Sequence, residues 1–126
     1  KDENKIFLLA LLNNILSMFF IESFGFGRGL GALDLRETKF KKDFKILNPE
    51  LLSDAQKKEI IKAFQPIFNR DRLPLVKELQ QKDRIDFELM LLKIYGLDKY
   101  YDTIKQTLLH LYKTRFAVKE KKRKKA

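Results

Sequence analysis

Ile6 to Ile21 is a 16-residue apolar run broken only by Asn13, Asn14 and Ser17, and it limits the available folds more than any other feature. It is far longer than a strand and has the length that suits a helix. It is shorter than the roughly 20 residues a membrane-spanning helix needs, and two adjacent asparagines near its middle would be costly in lipid. Ile21-Glu22-Ser23-Phe24 lacks the small-residue pattern of a secretory cleavage site. The run therefore predicts a buried helix, about Asn4 to Ser23, packed on several sides, with no membrane as partner.

Such a helix needs a core to enter, and 126 residues suffice for one domain that has one. The chain begins at Lys1 rather than at a methionine, which is expected of a piece of a longer protein. Cysteine is absent, which excludes disulfides and thiolate metal sites and points to a reducing, cytoplasmic setting. His110 is the single histidine, too few for a zinc cluster, and it stands on an apolar stretch beside Leu109 and Leu111. The net charge of +10 is unevenly spread. From Lys113 onward there are eight basic residues and one acid, Glu120, whereas the preceding 112 residues hold 19 basic and 16 acidic groups. Lys119 to Lys125 reads as a solvated, frayed tail with an affinity for polyanions.

The first helix should stop at Gly25-Phe26-Gly27-Arg28-Gly29-Leu30-Gly31, where four glycines in seven residues make helix continuation costly. Ala32 to Leu35 reads as a short strand, Arg36 to Lys45 alternates charge with Phe40 and Phe44, and a second strand at Lys45 to Leu47 would end at Asn48-Pro49. Ser53-Asp54-Ala55-Gln56 has capping-box spacing. The helix it opens carries Ile60, Phe64 and Phe68 on one face, flanked by Ile61 and Ile67, and Pro66 should kink it or end its regular part. After a connector at Arg70 to Pro74, a further helix is expected from Asp83, as its cap, to Gly96. Asp98 would cap a last helix bearing Tyr101, Ile104, Leu108, Tyr112 and Arg115. The fold class that results is mainly α, a helical domain with a small β element after a glycine-rich loop. No internal repeat is present.

Catalytic chemistry is hard to assemble from these residues. Gly27-Arg28-Gly29-Leu30-Gly31-Ala32 formally matches a dinucleotide fingerprint, but that motif must follow a strand and open a helix. A glycine loop with one arginine has another use, since bare backbone can approach a sugar-phosphate chain while Arg28 supplies a forked cation. The plain alternative is a helix-to-strand turn with an exposed arginine. Asp83 and Asp86 could share a helix face, and capping explains them more simply. Glu22, Asp34 and Glu37 have no common focus.

Ala10-Leu11-Leu12-Asn13-Asn14, the hydrophobic run, the glycine loop, Gly31-Ala32-Leu33-Asp34-Leu35 and Ile46-Leu47-Asn48-Pro49 together resemble the target-recognition segment of adenine-specific DNA methyltransferases. That family includes fused restriction-modification enzymes, in which one chain methylates and cuts. Asp83-Arg84-Ile85-Asp86 through Gly96-Leu97 to Arg115 resembles the family's C-terminal helices, so the likeness runs from about Phe7 to Phe116 in order. Asn14 departs from the family's usual serine. Asn48-Pro49-Glu50 shares only two residues with the Asn-Pro-Pro-Tyr motif that holds a flipped adenine, and reads as a turn.

The resemblance implies a three-part chain. Residues 1–52 would end the DNA target-recognition segment, 53–118 would be a helical scaffold, and 119–126 a basic tail. It also implies an upstream methyltransferase domain that binds S-adenosylmethionine and flips adenine, with no cofactor, metal or catalytic residue in this chain. Double-stranded DNA would be the partner, contacted by Arg28, Arg36, Lys39, Lys41, Lys42 and Lys45. The alternative class is a helical protein-interaction module with an incidental basic tail. A third is a membrane-surface protein using the first helix together with the lysines.

Overall fold

The asparagines that interrupt the apolar run also divide its helix. In the computed structural model, which describes residues 2–24, 26–28, 32–34 and 47–125, the run forms two helices, α1 (Asp2–Leu12) and α2 (Ile15–Phe24), instead of the single one expected. Asn14 is buried, and its Nδ2 donates to the carbonyls of Ala10 (3.0 Å) and Leu11 (2.8 Å). The Asn13 amide donates to Leu9 O at 2.7 Å. Carbonyls at a helix end have no partner within the helix, and an asparagine amide can satisfy them while competing with the next turn. A run of leucine and alanine alone would have had no such competitor.

The chain divides into two compact units, each discontinuous in sequence: Lys1–Asn14 with Ile46–Asp102, and Ile15–Lys45 with Thr103–Ala126. The first holds a 3₁₀ turn (Pro49–Leu51), α3 (Asp54–Asn69), α4 (Leu75–Glu78), α5 (Lys82–Ile94) and a second 3₁₀ turn (Asp98–Tyr100). The long last helix, α6, covers Tyr101–Lys125.

In the first unit α3 is the central element, packing on α1 and on α5. Its start follows the capping box: Ser53 Oγ accepts from the Gln56 amide (3.1 Å) and Gln56 Oε1 accepts from the Ser53 amide (2.9 Å). Ile60, Phe64 and Ile67 are its buried stripe. Phe68, expected on that stripe, is instead 40% exposed, with the Lys5 ammonium 6.0 Å from its ring centre. Four-residue steps from Ile60 drift around a 3.6-residue helix, so Ile67 takes the inward place. Pro66 does not end the helix, which continues to Asn69. It is the fourth residue from the helix end, where it removes one amide donor and crowds the carbonyl of the preceding turn while only three residues remain to follow.

Ile6, Ala10 and Leu11 from α1 and Phe87, Leu91 and Leu92 from α5 complete this core, with the Phe64 and Phe87 rings 5.0 Å apart. Burying side chains of this size contributes roughly 1.5–3 kcal/mol each. Gly96 ends α5 with φ of 72°; its amide donates to Lys93 O (3.0 Å) and the Leu97 amide to Leu92 O (2.7 Å). That pair of bonds is a Schellman closure, which needs the left-handed conformation glycine adopts without penalty. Two expected caps are corrected. Asp83 lies inside the first turn of α5, whose start at Gln81 has no side-chain cap, and Asp98 opens the 3₁₀ turn before α6.

The second unit contains α2, the glycine segment and most of α6. Glu22 on α2 accepts two bonds from Arg115 on α6, from Nη2 to Oε1 at 2.9 Å and from Nε to Oε2 at 3.2 Å. The guanidinium stands 4.9 Å from the Phe116 ring centre and 5.6 Å from that of Tyr112. Leu108 is fully buried. Residues 26–28 and 32–34 form β1 (Phe26–Arg28) and β2 (Ala32–Asp34), paired antiparallel as Phe26 with Asp34, Gly27 with Leu33 and Arg28 with Ala32. The small β element expected after the glycine loop is not seen as such; this short pairing spans the glycine run itself. Leu35 and the strand expected at Lys45 to Leu47, apart from Leu47, lie outside the described residues. Unlike the frayed tail expected, α6 is helical through Lys125.

Candidate functional site

The expected DNA contacts fall where little is described. Arg28 has its backbone in β1, opposite Ala32. Arg36, Lys39, Lys41, Lys42 and Lys45 lie outside the described residues. Ala32 begins a strand and not a helix, so the formal dinucleotide fingerprint has no helix N-terminus on which to seat a phosphate. Asn48-Pro49-Glu50 is a turn: Asn48 Oδ1 accepts from the Glu50 amide at 3.0 Å, and Asn48 O accepts from Tyr95 Oη at 2.9 Å.

The most elaborate polar constellation among the described residues is one the sequence did not announce. It joins Arg70, Glu78, Asp83, Arg84 and Glu88 in the first unit. Arg70 follows α3 and forks twice. Nη1 and Nη2 donate to the two Glu78 oxygens at 2.7 Å each, and Nε and Nη2 to the two Asp83 oxygens at 2.8 and 2.9 Å. Arg84 on α5 is 2% exposed; its Nε donates to Glu78 Oε2 at 2.7 Å, and its Nη1 to Glu88 Oε2 at 3.2 Å and to Asn13 O at 3.0 Å. The Arg84 guanidinium carbon is 5.7 Å from the ring centres of both Phe64 and Phe87.

Local structure delivers each group. The connector after Asn69 turns Arg70 toward the short helix α4, which ends on Glu78. One face of α5 carries Arg84, Phe87, Glu88 and Leu91, all buried at three- and four-residue steps. Charges therefore occupy two places in a core stripe. No buried side-chain nitrogen or oxygen among the described residues lacks a hydrogen-bond partner. That condition makes a buried ion cluster tolerable.

The electrostatics follow from the pairing. Burial is the largest influence on the Glu78 carboxyl and pushes it up, yet the hydrogen bonds from Arg70 and Arg84 together hold it below the usual range. Asp83 is lowered chiefly by its bonds to Arg70. Arg70 is raised by the bonds to Glu78 and Asp83. Burial pushes the Tyr101 phenol up, with Glu88 and Asp102 adding to it. Held low and bonded by arginines, the Glu78 and Asp83 carboxylates are poor proton acceptors, which suits a cluster that positions helices.

The cluster fixes Asn13 O, the residue after α3, the end of α4 and the start of α5 to one another. The signal that could have found it was Arg84 and Glu88 at core spacing on a helix apolar on most sides. No group of three or more metal-ligating side chains is assembled among the described residues. No single helix there is long and apolar enough to cross a membrane; α1 and α2 pass that test of length and composition only when taken together across their break. No family model matches the chain, and neither a curated protein nor a solved structure shows significant similarity to it.

Proposed function

We propose that this chain is a DNA-recognition and scaffold segment of an adenine-specific DNA methyltransferase or restriction-modification enzyme, whose S-adenosylmethionine site lies in another domain. One observation carries the reading: the glycine segment holds a short antiparallel ribbon with Arg28 on its first strand. A two-stranded ribbon is one of the backbone shapes the major groove of B-DNA admits, and arginine is the commonest reader of guanine there. Gly27 in β1 adds no side chain to hold the backbone away from a phosphate. Arg36, Lys39, Lys41, Lys42 and Lys45 follow closely in sequence and would add phosphate contacts.

The ion cluster has a natural part in this reading. It organises the end of α1 within the first unit, where Ala10-Leu11-Leu12-Asn13-Asn14 carries part of the family likeness.

The direct test is fluorescence anisotropy with the full chain and short duplexes of varied sequence at low salt. Binding with a sequence preference that Arg28→Ala abolishes, the helical circular dichroism unchanged, is the expected result. A chain indifferent to duplex DNA, or one whose preference survives Arg28→Ala and Lys41→Ala/Lys42→Ala, overturns it. The interaction-module reading has one observation of its own, Leu8 (53% exposed) and Leu12 (38%) one turn apart on α1. Self-association lost on Leu8→Glu, with no DNA binding, would favour it.

A further inference from the structure

We infer that the C-terminal end of α6, Lys119 to Lys125, is a second duplex-DNA contact that binds phosphates without reading sequence. The inference rests on the proposed DNA-binding function and adds to it an element beyond the reach of the family resemblance, which stops at about Phe116. Three features point to it.

The first is continuity: the backbone is helical from Tyr101 through Lys125, so the basic residues stand on a rod and not on a loose tail. The second is charge. Lys119, Lys121, Lys122, Arg123, Lys124 and Lys125 crowd seven positions containing one acid, Glu120. Cations in a last helical turn complement the helix dipole, which is reason enough for Lys122 to Lys125. It gives no reason for Lys119 and Lys121. Lys119 with Lys122 and Arg123, and Lys121 with Lys124 and Lys125, are like charges three and four apart, each pair opposing the helix by roughly 0.2–0.5 kcal/mol. An anionic partner removes that repulsion. Because the basic positions surround the helix axis, the rod can face phosphates on both walls of a groove at once.

The third feature is the anchor. Arg115, just before the basic end, is bonded twice to Glu22 and stacked by Tyr112 and Phe116, which ties the base of the rod to α2. Arg115 is therefore engaged within the protein, at the base of the helical segment that carries the basic positions. The two contacts divide the work: the ribbon selects a site and the rod supplies sequence-independent affinity.

Salt dependence separates them. Each phosphate contact contributes about 0.9 to the slope of log affinity against log salt. We expect the full chain with Lys119, Lys121, Lys122, Arg123, Lys124 and Lys125 replaced by glutamine to lose about 3–4 from that slope, the share of roughly four contacts, and to keep its sequence preference. Arg28→Ala should lose the preference and keep most of that slope. Ala117→Pro keeps every charge and breaks the helix just before the basic end; it should weaken binding at least tenfold. An unchanged slope in the glutamine variant, with DNA binding and preference intact, overturns the second contact and leaves the ribbon reading standing. Unaltered affinity in Ala117→Pro overturns the helical presentation. Absence of duplex binding by the unmodified chain overturns both readings. So does charge-dependent binding to phosphatidylserine vesicles in place of DNA.

Discussion

Arg84 offers the sharpest test of how the first unit is built. It is 2% exposed, donates to Glu78, Glu88 and Asn13 O, and lies against two phenyl rings. Arg84→Met keeps most of the volume and removes the charge. Glu78 retains its two bonds from Arg70, but Glu88, 1% exposed, loses the bond it accepts from Arg84. Breaking a buried ion pair on one side costs about 3–5 kcal/mol, because the remaining buried charge loses that counter-charge. For a domain near 100 residues, about 1 kcal/mol moves the melting temperature by roughly 4 °C or more. Thermal unfolding followed by circular dichroism should therefore show a fall of at least about 12 °C.

The double variant decides whether the lost Arg84–Glu88 charge pairing is the cause. Arg84→Met with Glu88→Gln removes the carboxylate that Arg84 had faced and keeps a hydrogen-bonding amide in its place. It should recover more than about 1 kcal/mol of the single variant's loss, leaving the unsatisfied Asn13 carbonyl as the main residual cost. A single variant within about 1 kcal/mol of the unmodified protein would refute the reasoning. So would a double variant less stable than the single, since lost packing and not charge would then dominate.

Glu78 and Asp83 have carboxyl pKa values held below the ordinary value of about 4, so the unfolded chain takes up protons first as pH falls. Their contribution is fully present above about pH 5 and is lost as acid brings pH down through the folded values; Asp83→Asn should flatten the fall of the urea midpoint between pH 4 and 3, and an unchanged acid slope would contradict this. Ser53→Ala removes half of the capping box of α3 and should cost about 1 kcal/mol, Ser53→Gly only a few tenths, by urea unfolding. Gly96→Ala meets open space but is forced to hold φ near 72°, so it should cost about 1–2 kcal/mol, and Gly96→Asn less. Equal losses for alanine and asparagine would put the cause outside backbone conformation.

Local rules acted wherever a few neighbouring residues hold all the physics. The Ser53–Gln56 box closes on itself, Gly96 ends α5 through its own backbone freedom, and Asn48-Pro49 makes its own turn. The mainly helical class follows from apolar periods that only helices can bury. Other features were beyond any local rule. Whether Asn13 and Asn14 merely dent a helix or divide it depends on where Asn13 O can find a donor, and that donor is Arg84, 71 positions away. Asp83 was legible as a cap; Arg70, delivered by the connector after α3, claimed it instead with two bonds. Phe68 and Ile67 compete for one place in the core, and the accumulated rotation of α3 decides between them.

The same division applies to the functional reading. Sequence by itself determined a mainly helical chain with a glycine-interrupted segment, an uneven surplus of positive charge, no cysteine and a single histidine. Only tertiary structure decided that two arginines and three carboxylates meet at the edge of the core, that Phe26–Arg28 pairs with Ala32–Asp34, and that the basic end continues a helix anchored through Arg115. Charge and composition are sums over residues, which a sequence states directly. Pairing depends on which distant groups the packed helices bring within about 3 Å of one another, and a linear order does not contain that distance.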